Sequence, residues 1–170
     1  FDRCGHLASF ISNLAQVIRI PEPTFSLISL NEQARSVYSL TSIECRQRNI
    51  ELSLSLTDND QYIHVDGIQF EQVLVNIIKN AYEAIGENGR IKISPRHSPL
   101  SIIIEDNGPG ISEEAKQKLF TPFFTTKSSG QGIGLMFVRE VLTNHRCRFS
   151  LSTEEGYTRF KIFFPTADGT

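Results

Sequence analysis

The chain has 170 residues, enough to bury one substantial core, so one domain with a short appendage is the expected layout. Its 17 lysines and arginines stand against 19 acids, and the net charge of −2 gives no electrostatic case for nucleic acid or an anionic lipid surface. The three cysteines, Cys4, Cys45 and Cys147, are odd in number and widely spaced, without a CxxC or a histidine cluster. That argues against a disulfide framework and a zinc site and fits a reducing, cytoplasmic setting. No apolar stretch approaches membrane-spanning length and the start carries no signal-peptide pattern, although a parent chain anchored in a membrane is compatible with both.

Leu7, Phe10, Ile11, Leu14, Val17 and Ile18 recur at helical three-and-four spacing and are followed by Pro21 and Pro23, so residues 1–23 read as a short amphipathic helix that ends abruptly. Residues 25–30 predict a strand. Ser29 or Asn31 is placed to cap the next helix, whose inward stripe is Ala34, Val37, Tyr38, Thr41 and Cys45. Ile50, Leu52, Leu54 and Leu56 alternate with Glu51, Ser53 and Ser55, the period of a strand with one buried face. A polar turn at 57–60 leads to a second strand at 62–65, and Asp66 with Gln69 makes a capping box.

The helix that follows, 67–85, has two faces. Val73, Leu74, Ile77, Ile78, Ala81 and Ile85 make the apolar side, while Asn76, Asn80 and Glu83 share a polar stripe. A solvated face is the simplest reading of such a stripe in a helix taken alone, yet asparagine is a mediocre helix former and two of them cost stability. Asn88-Gly89 signals a turn into a strand at 90–94, and residues 95–99 turn the chain, with His97 a loop residue, into an apolar strand at 100–105. Next comes Glu105-Asp106-Asn107-Gly108-Pro109-Gly110-Ile111, which delivers a carboxylate at a strand end where two glycines let the backbone turn sharply and a flat ring come close. By itself D-x-G-x-G also fits an ordinary turn.

Ser112, Glu113 and Glu114 open a short acidic helix to Leu119, ahead of Phe120-Thr121-Pro122-Phe123-Phe124-Thr125-Thr126-Lys127. Phe120 and Phe123 fit a core equally well, whereas Lys127 begins a loop from which a flexible ammonium reaches phosphate oxygens. Gly130, Gly132 and Gly134 then open a helix through Leu135, Val138, Leu142 and His145, leaving backbone N–H groups to face an anion. The glycines do not follow a strand inside a βαβ unit, which disfavours a dinucleotide fold. Phe149 and Leu151, then Phe160, Ile162 and Phe164, make closing strands around a turn at 154–156, and residues 167–170 fray. Adjacent strands flanked by helices indicate a mixed sheet covered on one face.

The asparagines, the Asp106 to Gly110 stretch, the phenylalanine run and Gly130-Gln131-Gly132-Ile133-Gly134 occur in that order across nearly the whole chain. In this the sequence resembles the ATP-binding domain of sensor histidine kinases, within the superfamily that includes gyrase, the ninety-kilodalton heat-shock chaperone and the mismatch-repair ATPases. The resemblance implies an α/β (α+β) two-layer sandwich over residues 24–166, the Bergerat fold, with a mixed, mostly antiparallel sheet covered on one face by helices. It makes residues 1–23 the end of a dimerisation-bundle helix. It implies ATP and Mg²⁺ as ligands, with Asn80 giving the metal an oxygen, as a hard cation prefers. Asp106 would accept from the exocyclic amine of adenine, with Gly108 and Gly110 admitting the ring and Phe120, Leu135 and Thr158 near it. Lys127 would meet the outer phosphates, wrapped by Gly130, Gly132 and Gly134.

Relatives that hydrolyse ATP place a glutamate base where this chain has Asn76. An amide cannot take a proton from water, so phosphoryl transfer to a protein side chain is expected over hydrolysis, with Asn76, Asn80 and Lys127 as the catalytic set. The chain departs from many sensor kinases at Glu83, where a Lys or Arg is usual, and Lys79 would serve only in part. His6 lacks the acidic, proline-containing setting of a phosphoacceptor, so the acceptor histidine is expected on a helix outside this chain. The implied partners are that helix, a response regulator and a second copy of the parent protein, with no nucleic acid. An anti-sigma-factor type of serine protein kinase shares the pocket but lacks a bundle helix, and the helix at 7–18 with the Pro21-Glu22-Pro23 break counts against it. A true ATPase is disfavoured by Asn76.

Overall fold

The computed structural model describes residues 20–118 and 134–166. The helix read at 7–18, the frayed end at 167–170, and His6, Phe120, Lys127, Gly130 and Gly132 lie outside the described residues.

Local signals set most element ends. Ser29 caps α1 (Leu30–Gln47), its Oγ accepting from the Glu32 N–H at 3.1 Å. That cap shortens the expected strand at 25–30 to β1 (Ser26–Ser29), because Leu30 already belongs to the helix. Ala34, Val37, Thr41 and Cys45 of the expected stripe are buried and Tyr38 is half-buried. After β2 (Ile50–Leu54) and β3 (Tyr62–Val65), Asp66 opens α2 (Gly67–Ile85), its Oδ1 accepting from the N–H groups of Ile68 and Gln69 at 3.1 Å each. The expected capping box is only half formed. The Gln69 side chain instead donates through Nε2 to the Pro21 carbonyl at 2.8 Å, and the Asp66 N–H it would have met donates to Nε2 of His145 at 3.0 Å.

β4 (Gly89–Arg96) runs past the end expected at Ser94 and includes Pro95. The Ile93 carbonyl accepts from the Ser55 N–H, so alternate residues of β4 aim their polar groups at β2; β2 ends at Leu54, and the N–H that Pro95 lacks would have had no strand to meet. β5 (Ser101–Asp106), α3 (Glu113–Lys118), α4 (Gly134–Asn144), β6 (Arg148–Glu154) and β7 (Tyr157–Phe163) complete the described fold.

β1 and β3 pair antiparallel as a small outlying sheet. The main sheet has the order β2-β4-β5-β7-β6; β2 and β4 run parallel and every other pair antiparallel, so it is mixed and mostly antiparallel. Strand alternation sends Ile91, Ile93, Ile102, Ile104, Phe160 and Ile162 to one face, all buried, and Lys92, Glu105, Arg159 and Lys161 to the other. The helices cover the apolar face through Val37, Val73, Leu74, Ile78, Val138 and Leu142, each removed from water, which stabilises the fold by about 1.5–3 kcal/mol per large side chain. The opposite face is held by charge pairing, with Arg159 Nε donating to Glu105 Oε2 at 2.6 Å. The result is a two-layer sandwich in which α2 packs between α1 and α4 over the sheet.

Candidate nucleotide site

On β5 the inward series Ile102, Ile104, Asp106 continues an apolar pattern into a carboxylate, so the register that buries two isoleucines also buries an acid. Asp106 stands opposite Ile91 of β4 and Thr158 of β7, and only 9% of it is exposed. Its Oδ1 accepts from the Gly108 N–H at 2.9 Å. Burial pushes the carboxyl above the ordinary carboxylate range, the negative charge of Glu105 adds to that, and the Gly108 bond pulls the other way.

The turn after β5 tolerates no side chains where its glycines stand. A Cβ on Gly108 would lie 2.9 Å from Asp106 Oδ1 and 3.3 Å from Ile85 Cγ1. Gly110 has φ +82°, and a Cβ there would lie 2.7 Å from Thr153 Cγ2. The turn is pinned down as the Ile111 N–H donates to Thr153 Oγ1 at 3.2 Å, and Thr153 shares a further hydroxyl contact of 3.2 Å with Thr158 Oγ1.

Above this row lies a mostly apolar cavity. Asn80, Asp106, Gly110, Leu135 and Thr158, all expected at the site, line it together. Gly108 borders it through its contacts with Asp106 and Ile85. Asn76 sits one turn earlier on the same stripe of α2, where it lines a surface groove with Leu40, Val75 and Phe137, and a Cβ on Gly134 would lie 3.7 Å from its Oδ1. Lys79 is exposed, with its Nζ 4.0 Å from Glu83 Oε1, so α2 carries its own partner for that cation. Phe120, Lys127, Gly130 and Gly132 fall outside the described residues.

Sequence reading missed the walls of this cavity. Ala81 and Ala84 of α2, Ile104 of β5, Leu151 of β6 and Phe160 of β7 make its apolar lining, and Asp106, Asn80 and Thr158 contribute polar side chains. Strand alternation was the available signal, since Ile104, Leu151 and Phe160 face the same way as Asp106 and Thr158. Among the described residues no group of three or more His, Cys, Asp or Glu is placed to hold a metal ion.

The family of histidine kinase-, DNA gyrase B-, and HSP90-like ATPases matches residues 65–168. The chain belongs to that family. Within it the likeness is to histidine kinases. The nucleotide-free catalytic domain of histidine kinase ThkA is 35% identical with a TM-score of 0.76, over 84% of this chain and 95% of that one. Sensor histidine kinase ZraS of Salmonella typhimurium is 30% identical over 159 residues, 91% of this chain and 34% of ZraS. The chain thus spans about a third of the length of such curated relatives. ThkA in complex with the response regulator TrrA is 28% identical with a TM-score of 0.73, over 95% of this chain and 47% of that one. This is an ATP-binding catalytic domain of the histidine-kinase type, and the cavity beside Asp106 lies within the matched residues.

Proposed function

We propose that this domain holds Mg-ATP and passes the γ-phosphoryl group to a histidine on an upstream helix of a sensor histidine kinase, from which a response regulator receives it. The observation that carries the reading is a buried carboxylate at the end of β5, in an apolar slot that also presents an amide and a hydroxyl. The small side chains of Ala81 and Ala84 on α2, opposite the inner face of the sheet, suit a flat purine. With Oδ1 engaged by Gly108, the second carboxylate oxygen of Asp106 is left to accept from the exocyclic amine of adenine. Guanine presents a carbonyl at that position, so the acid selects ATP.

The donor chemistry fits a hard cation shared with phosphates. Asn80 would offer one neutral amide oxygen from the helix side of the cavity that Asp106 lines from the sheet side, with phosphate and water oxygens as the remaining ligands. When bound, Mg²⁺ neutralises charge on the phosphates. Asn80 orients that end of the nucleotide, while Lys127 and the glycines Gly130, Gly132 and Gly134 take the outer phosphates on the strength of the resemblance. Asn76, a turn away beside Gly134, contributes a hydrogen-bonding amide and no general base, which supports transfer over hydrolysis.

On this reading residues 24–166 are the catalytic domain, residues 1–23 the end of a dimerisation helix and 167–170 a tail, and the parent protein acts as a homodimer with this part in the cytoplasm. No helix among the described residues is long and apolar enough to cross a membrane. The test is transfer in trans. The chain should bind Mg-ATP, form no acid-labile phosphate by itself, and label a separate fragment of the parent that carries the acceptor histidine. Labelling of the isolated chain, or steady-state hydrolysis in its place, would overturn the proposal.

A further inference from the structure

His145 stands at a junction that the nucleotide chemistry does not use. It is 3% exposed, at the C-terminal end of α4, and both ring nitrogens are engaged: Nδ1 with the Val141 carbonyl at 2.7 Å, and Nε2 with the backbone N–H of Asp66 at 3.0 Å. An acceptor on one side and a donor on the other fix the ring as the neutral tautomer with its hydrogen on Nδ1, donating to Val141 while Nε2 accepts. The residue it holds is the N-cap of α2, so one imidazole ties the far ends of α2 and α4 together. The near ends of both helices reach the nucleotide cavity, through Asn80 on α2 and Leu135 on α4.

The chain entering the domain is anchored at the same point. The Thr24 N–H donates to Asp66 Oδ2 at 2.9 Å, and the Pro21 carbonyl accepts from Gln69 Nε2 at 2.8 Å. Phe25 packs between two histidines, stacked on His64 and edge-on to His145, with ring centres 5.2 Å apart in each case. Among the described residues Gln69 Oε1 is buried without a hydrogen-bond partner, while the Nε2 of the same amide holds Pro21.

We infer that His145 is a positioning residue for the nucleotide reaction: through it, the placement of the entering chain at Pro21 and Thr24 is carried along α4 to the nucleotide end. α4 is a rigid lever of 11 residues, about 16.5 Å long at about 1.5 Å per residue. A shift of its cavity end must either break the bond to Asp66 or move the cap that also holds Thr24. The coupling is reciprocal, so nucleotide binding tightens the anchorage of the entering chain by the same factor that the anchorage tightens nucleotide binding. This rests on the cavity beside Asp106 being the nucleotide site.

The test is a double-mutant cycle read as affinity for a non-hydrolysable ATP analogue with Mg²⁺. Thr24→Pro removes the N–H that meets Asp66, far from the cavity; His145→Phe keeps a ring against Phe25 but loses both nitrogens; His145→Gln restores an acceptor for the Asp66 N–H. Thr24→Pro should weaken binding by about fivefold or more with His145 present and by less than about twofold beside Phe, while His145→Gln recovers the dependence. Binding by folded Thr24→Pro within about twofold of wild type, or an equal loss in both backgrounds, overturns the inference. If His145→Phe does not fold, Thr24→Pro measured against wild type and in the His145→Gln chain decides the same point. A wild-type chain that binds no nucleotide overturns the nucleotide reading itself, which is a separate failure.

Discussion

Replacing Asp106 by asparagine should move stability and binding in opposite directions. The carboxylate is 9% exposed, and burial holds its pKa above the ordinary carboxylate range, so the ionised form is disfavoured in the folded chain relative to the unfolded one. A neutral amide removes that penalty while its oxygen keeps the Gly108 N–H, so the thermal midpoint at neutral pH should stay level or rise. Binding should fall. With the amide oxygen on Gly108, the NH₂ group faces the purine amine, donor against donor, and a charge-assisted hydrogen bond of about 1.5–3 kcal/mol is lost, or about 10- to 150-fold in affinity. Titration calorimetry with Mg²⁺ and a non-hydrolysable ATP analogue measures this, and the matching guanine analogue should lose its disadvantage against the variant. The sign of the pH dependence follows. Protonation of Asp106 removes the acceptor, so the gap between wild type and variant should narrow as pH falls through a value above the ordinary carboxylate range. A folded Asp106→Asn chain that binds the analogue as tightly as wild type would refute the role given to this acid.

Other consequences are open to measurement. Gly110→Ala places a methyl 2.7 Å from Thr153 Cγ2 at φ +82°, so it should lower stability by more than about 1 kcal/mol and weaken nucleotide binding, and an unchanged denaturation midpoint would contradict the packing. Asp66→Ala removes an N-cap and should cost about 1 kcal/mol at neutral pH. Burial pushes the Asp66 carboxyl up, but the N–H groups of Thr24, Gln69 and Ile68 outweigh it and hold the folded value below the usual range. Its stabilisation is therefore complete above about pH 4 and is lost as pH falls through the lowered value, so the deficit of the variant in urea unfolding should shrink in acid and not persist undiminished. Cys147 is buried with its thiol pushed up to about 12, so at pH 8 it should react with a thiol reagent only as fast as the fold opens; immediate labelling of the native chain at Cys147 itself, located by peptide mapping, would show the site to be accessible.

Elements closed by a local chemical signal were legible from residues alone. α2 begins after Asp66 and ends before Gly86, which takes φ 79°, because a cap and a glycine act within one turn. The apolar faces of α1, α2 and β5 fall where the periods of 3.6 and 2 put them. Asp106, Gly110 and Asn80 were assigned through the resemblance carried by the ordered motifs, because taken singly the glycine stretch fits an ordinary turn and the asparagine stripe a solvated helix face. Partners that depend on a distant segment were not legible. Gln69 looked like the return half of a capping box, and a carbonyl 48 positions earlier takes it instead. Pro95 looked like a strand end, and it is accommodated because β2 stops at Leu54.

The sequence by itself determined that an acid would arrive at the end of a buried strand and that amides would line one stripe of a helix, since side-chain direction follows from backbone period once the element type is set. Only the tertiary structure decided what that stripe meets, Asp106 and Thr158 around Asn80 and Leu40, Phe137 and Gly134 around Asn76, because that depends on how α2 is rotated between α1 and α4. It also decided the role of His145, whose partner lies 79 positions back in the chain. Contacts of that separation are selected by the packing of the whole core, and no window of neighbouring residues contains the forces that choose them.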